Sequence, residues 1–213
     1  MGGYSLDFPG FTNEDFDVFL IDGLGPRMEA LKEIIRPKLE ILGHYFAPAL
    51  SALTEDEMFV HVAKHARRTI NPPKDTWVAF ANNSRGYKML PHFQIGLWNT
   101  HLFIWFAIIY EAPQKDAMGA KFVKKAAKVY KEIPKDFVWS GDHTKPETVK
   151  HGELTKADLT VQFARLQSVK KGELLCGYTI DRNQVIQLGS EALIKQIDEV
   201  FKKVAPLYKI ALT

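Results

Sequence analysis

The chain has 213 residues, 46% of them apolar and 12% aromatic, enough to bury one large core. Its 28 basic and 25 acidic residues leave a net charge of +3, too mild to require a polyanionic partner. The single cysteine, Cys176, excludes an internal disulfide and suits a reducing cytoplasm; within Leu174-Leu175-Cys176 it reads as a buried, inert thiol. The longest apolar run, Leu102 to Tyr110, has nine residues, too short to cross a membrane. The Gly-rich start shows no signal-peptide pattern. A cytoplasmic, single-domain protein over 1–213 is expected, with 1–10 as a disordered extension.

Thr12 and Asp15 form a capping-box pattern opening a short helix over Asn13 to Leu20. Asp22-Gly23-Leu24-Gly25 ends it, and Pro26 suits the first turn of a longer helix. Met28, Leu31, Ile35, Leu39, Leu42 and Phe46 carry the helical period onward. A kink or break is expected near Arg36, because Pro37 has no N–H to donate.

The middle of the chain differs in charge and in period. Between Glu57 and Glu111 the only acid is Asp75, while Lys64, Arg67, Arg68, Lys74, Arg85, Lys88 and four histidines gather there. Phe59 to Arg68 fits a helix or a strand, and either period puts His61 and His65 on one face. Trp77 to Ala81 reads as a strand. Phe93, Ile95 and Leu97 alternate with His92, Gln94 and Gly96, the pattern of a half-buried strand. Asn99-Thr100 makes a two-residue turn into the central strand Leu102 to Tyr110. That hairpin sets Gly96 opposite Phe103, Gln94 opposite Trp105 and His92 opposite Ala107. One face is then core; the other carries His92, Gln94 and Trp105, with Gly96 leaving room for a ligand to approach the backbone.

Further on, Lys115 to Lys131 reads as a helix with a lysine face, Phe137 to Ser140 as a strand, and Thr155 with Asp158 as a helix cap. Leu174 to Ile180 is a strand, and Ser190 opens a last helix with a stripe of Leu193, Ile197, Val200, Phe201 and Val204. The fold class is α+β: a single domain with a largely antiparallel central sheet covered by helices on one face.

An acid-poor window rich in cations, imidazoles and flat rings points to a small anionic, nucleotide-like ligand, with no cofactor named by any motif. His61, His65, Arg67 and Arg85 would meet its charge, Gln94 and Trp105 would orient its ring, and Lys88 and His92 would complete the ligand-binding set. Ser84 to Lys88 would be the contacting loop. Metal binding is not expected at His61 and His65, because Val62 stands where a metalloprotease helix needs its glutamate. Asp142 is a neighbour that could orient His143. Two other readings stand beside the first: RNA or ribosome binding by the basic window and the Lys121 to Lys131 helix, and a protein-interaction module without a small-molecule site.

Asp56-Glu57-Met58-Phe59-Val60-His61-Val62-Ala63-Lys64-His65-Ala66-Arg67-Arg68, the run Asn71 to Phe80, Arg85-Gly86-Tyr87-Lys88, Pro91 to Gly96 and Val169 to Glu173 resemble the YktB family of uncharacterised bacterial proteins over nearly the whole chain. The resemblance implies a sheet similar to those of biotin–protein ligases and class II aminoacyl-tRNA synthetases, which bind ATP with arginines. The chain lacks their Gly/Arg-rich loop and late glycine-rich motif, so adenylate formation is not implied.

Overall fold

A computed structural model describes residues 7–213. Helix α1, Asn13–Asp17, continues as a tighter 3-10 turn to Leu20. The backbone N–H and hydroxyl of Thr12 both donate to Asp15 Oδ2, at 2.7 and 3.2 Å. Asp15 is buried and receives Lys38 Nζ at 2.6 Å. Helices α2, Leu24–Ala30, and α3, Arg36–Thr54, are joined by a widened π turn over Leu31–Ile35. The expected break near Arg36 is therefore a bulge: the Arg36 N–H reaches back to Leu31 O, and the missing Pro37 donor is absorbed without ending the helix. Residues 1–6 of the expected extension lie outside the described residues, while Phe8 is already packed into the core.

Strands β1, Phe59–Val62, β2, Asp75–Ala81, β3, His92–Trp98, and β4, His101–Ile108, follow one another. Next come α4, Lys115–Lys124, and α5, Ala126–Glu132, one lysine-faced helix interrupted at Lys125. Strand β5, Val138–Ser140, the two-residue β6, Val149–Lys150, helix α6, Lys156–Ser168, strand β7, Leu174–Asp181, and α7, Arg182–Leu212, complete the chain. Within α7 the chain breaks at Gly189, where φ is +69°, a value glycine adopts without strain. The expected start at Ser190 is thus a restart, preceded by a stretch from Arg182 in which Asp181 accepts the Asn183 N–H as a cap.

The seven strands form one sheet in the order β1-β2-β3-β4-β7-β5-β6, every pair antiparallel. The β3–β4 register matches the hairpin arithmetic: Gly96 faces Phe103, Gln94 faces Trp105 and His92 faces Ala107. One face is largely apolar, with Phe80, Phe93, Ile95, Leu97, Ile104 and Phe106 fully buried. Helices cover it: Phe201 of α7 lies against Phe80 and Phe93, Phe122 of α4 against Phe106, and Phe163 of α6 against Trp139. The opposite face has its own small apolar cluster of Phe103, Trp105, Ala107, Val138 and Leu175. Among the described residues the 82–91 and 140–146 segments, both loops, close over it. No helix among the described residues is long and apolar enough to cross a membrane.

Candidate functional site

Asp75 of β2 and His92 and Gln94 of β3 lie on the loop-covered face. His92 is fully buried, and both ring nitrogens are engaged: Nδ1 with Leu90 O at 2.7 Å and Nε2 with the Gln94 amide at 2.9 Å. Burial, opposed by the Leu90 hydrogen bond and reinforced by the cations around it, holds its pKa down to about 4. The 82–91 segment folds back over the sheet through Tyr87, whose hydroxyl accepts from Trp77 Nε1 at 3.0 Å and whose ring packs on His92 and His61. Burial pushes the Tyr87 phenol up to about 12. Gly96 does leave room above the backbone, but the Phe103 ring fills it, so the expected ligand approach there is closed. Gln94, Trp98, Phe103, Trp105, His143 and Pro146 enclose a gap of only about 10 Å³, near the least a single water needs.

His61 and His65 do not share a surface. Strand β1 ends at Val62, and His65 adopts a left-handed φ of +51°. Its ring packs edge-on to Trp77 and its Nε2 lies 3.1 Å from the Thr76 hydroxyl. Burial, with Arg68 and Arg36 adding to it, lowers His65 to about 4. Arg67 is exposed in the turn beyond. His61 instead turns toward the 82–91 segment and contacts Asn83 O at 2.8 Å.

There His61 borders a cleft of about 900 Å³ along the free edge of β1. Lys64, Arg85 and Lys88 supply its positive charge, and Val60, Val62, Leu90 and Pro113 its apolar lining. Its one acid among the described residues, Glu111, is taken by Lys88 at 3.0 Å. Three of the eight residues expected at a ligand, His61, Arg85 and Lys88, therefore come together. His92, Gln94 and Trp105 lie under the loops, and His65 and Arg67 line neither space.

A second cleft, of about 690 Å³, opens on the other side of the β4 end, between Tyr110, the 140–147 segment and Glu173. Glu173 is buried and fully occupied. It accepts the backbone N–H of Tyr110 at 3.2 Å, that of His143 at 2.7 Å, and His143 Nδ1 at 2.8 Å. The Tyr110 and His143 rings stack with centroids 6.3 Å apart. Burial lowers the His143 pKa, but the Glu173 hydrogen bond and the charges of Glu173 and Asp75 outweigh it, leaving the group above 6.5. Asp75, the lone acid of the basic window, is itself raised to about 6, chiefly by burial.

The carboxylate that orients His143 is thus Glu173, not Asp142. Asp142 instead accepts from its own turn, from the Thr144 N–H at 2.9 Å and the Thr144 hydroxyl at 2.6 Å. Asp142, His143 and Glu173 are the one set among the described residues whose atoms lie within 4.8 Å of one another and could share a cation. Those atoms are already committed to hydrogen bonds, and Lys145 approaches Asp142 at 3.5 Å, which disfavours a second positive charge. The sequence carried one cue to this pair: an acid immediately before the apolar strand Leu174 to Ile180.

Residues 11–208 match the family model described as a domain of unknown function, DUF1054. A UPF0637 protein of Bacillus velezensis is 56% identical over 200 residues, covering 94% of this chain and 95% of its own. One from Bacillus licheniformis is 55% identical with the same coverage, and one from Bacillus cereus 50%, covering 94% and 96%. The chain belongs to this bacterial family, DUF1054 or UPF0637.

Proposed function

We propose that this member of the DUF1054 family binds a small anionic, nucleotide-like ligand in the cleft along the free edge of β1. One observation carries the reading. Around a space of about 900 Å³, the only acid among the described residues, Glu111, is already paired with Lys88. Lys64 and Arg85 are exposed, and neither has an acidic partner among the described residues. Unpaired cations on the rim attract phosphate or carboxylate, and the apolar lining offers a ring a surface that excludes water. Arg85 is presented on a turn fixed by its own N–H to Asn83 Oδ1 at 2.8 Å. The fork of a guanidinium then has one end free to bind bidentately. The setting is cytoplasmic, where Cys176 stays a thiol.

The test is a thermal-shift screen with ATP, GTP, AMP and phosphorylated sugars on the wild-type chain. At least one probe raises Tm, and the double variant Lys64→Ala, Arg85→Ala loses that shift, with affinity down about tenfold or more for the lost charge-assisted contacts. No shift with any probe, or a shift the variant retains, overturns the reading. If those probes give no shift but an RNA oligonucleotide run beside them does, with a shift that falls steeply with salt, the function transfers to nucleic-acid binding.

A further inference from the structure

We propose that Glu173 and His143 form a proton-transfer site, in which His143 Nε2 exchanges a proton with a water or hydroxyl held in the cleft beside Lys145, Arg165 and Lys171. This site is separate from the β1-edge cleft and stands without it.

The argument rests on how one carboxylate is used. Glu173 is 4% exposed, and its acceptor positions are taken by two backbone N–H groups and one ring nitrogen. The backbone and the imidazole of the same residue, His143, are therefore both anchored to it. That double attachment fixes the ring and commits Nδ1 as the donor, which leaves Nε2 as the basic nitrogen of the neutral ring. The two most deeply buried histidines, His92 and His151, differ on this point. His92 spends both nitrogens on Leu90 O and Gln94. His151 spends both on Trp139 Nε1 and Tyr130 O, each at 3.0 Å.

No hydrogen bond to His143 Nε2 is formed among the described residues, and the side chain keeps 19% of its surface toward solvent. Tyr110 covers one face of the ring. A fixed imidazole with one committed and one open nitrogen is the arrangement that general acid–base chemistry needs. Glu173 acts through His143 and is the positioning residue. The charges that reach the imidazole are Glu173 and Asp75, which favour its proton, and Lys88, which opposes it. The lining residues Arg165 and Lys171 make an anionic substrate the class that would be drawn in.

p-Nitrophenyl acetate is a suitable probe. Nε2 takes a proton from water, the water oxygen bonds to the carbonyl carbon, nitrophenolate leaves with the electron pair of the broken ester bond, and the imidazolium returns its proton to solvent. The wild-type rate should rise through the His143 midpoint above pH 6.5 and fall at least tenfold in His143→Gln. In Glu173→Gln the midpoint should move to lower pH, because the hydrogen bond and charge that favour the imidazolium are weakened, a change that loosened packing alone would not produce. Equal rates in wild type and His143→Gln, or an unmoved midpoint, overturn the proposal. Diethyl pyrocarbonate mapping of the wild-type chain needs no folded variant: His143 should be carbethoxylated well before His92 and His151, and modification at the same pace as those two overturns it.

Discussion

The two faces of the sheet are built from alternate residues of the same strands, yet they have different chemistry. The face under α3, α4, α6 and α7 is a continuous apolar core in which Phe93, Ile95, Phe106 and Phe201 interlock. The face under the 82–91 and 140–147 segments buries Asp75, His92 and Gln94 among Trp77, Tyr87 and Trp105. Helices satisfy their own backbone and can offer a purely apolar stripe. Loops bring backbone carbonyls and N–H groups with them, so polar side chains beneath find partners there, as His92 does at Leu90 O. The displaced pKa values of Asp75, Tyr87, His92 and His143 belong to this second face, and both clefts lie at its margins.

Mutation and pH can break or sharpen that contrast. The largest effect should come from the helix-covered side, where Phe93→Ala leaves a cavity against Phe106, Phe201 and Tyr208. Urea unfolding should show a loss of about 3–5 kcal/mol, and a loss below about 1 kcal/mol would mean that helices do not form the stabilising half. On the other side the strongest lever is Asp75. Raised from 3.8 to about 6, it adds stability that is complete below 3.8 and lost as pH rises through about 6. His65 and His92, lowered from 6.5 to about 4, add stability that is complete above 6.5 and lost as pH falls through about 4. Asp75 thus opposes the two histidines over the same window. Asp75→Asn should stabilise the fold above pH 6 by on the order of 1–3 kcal/mol and steepen its loss between pH 6.5 and 4. Unfolding midpoints collected from pH 4 to 8 would show this, and parallel curves for variant and wild type would refute it. The smallest effect is Tyr87→Phe, which leaves Trp77 Nε1 without its acceptor and should cost about 1 kcal/mol. Faster amide exchange confined to 82–91 would identify Tyr87 as the clasp of that segment; exchange unchanged there would not.

Much of the sheet was legible in the sequence because its signals are local. Alternation through His92 to Trp98, with the two-residue turn at Asn99-Thr100, fixes the register of β3 on β4. The Thr155/Asp158 capping box predicts α6, and the structure shows both of its hydrogen bonds, at 2.8 and 3.2 Å. The site was legible only in part. His61, Arg85 and Lys88 meet because β1 and the 82–91 segment are close in the chain. Whether a loop would lie over Gln94 and Trp105 depends on Tyr87 reaching Trp77 and on Pro146 arriving from elsewhere, and no periodicity encodes that. In the sequence His143 stands next to Asp142, whereas its carboxylate partner Glu173 is 30 residues away and is brought in by the pairing of β5 with β7. The left-handed turn at His65, whose ring packs edge-on to Trp77, is equally silent in the sequence.

The strand order also decides how the sheet meets other chains. Its two outer strands, β1 and β6, have four and two residues, against seven or eight in β2, β3, β4 and β7. Each edge therefore shows a neighbour only a short row of unpaired N–H and C=O groups, and β6 adds the charge of Lys150 to that row. Short, charged edges are poor templates for strand addition. An apolar β-rich centre of this size is thus kept from templating aggregation by the brevity of its borders.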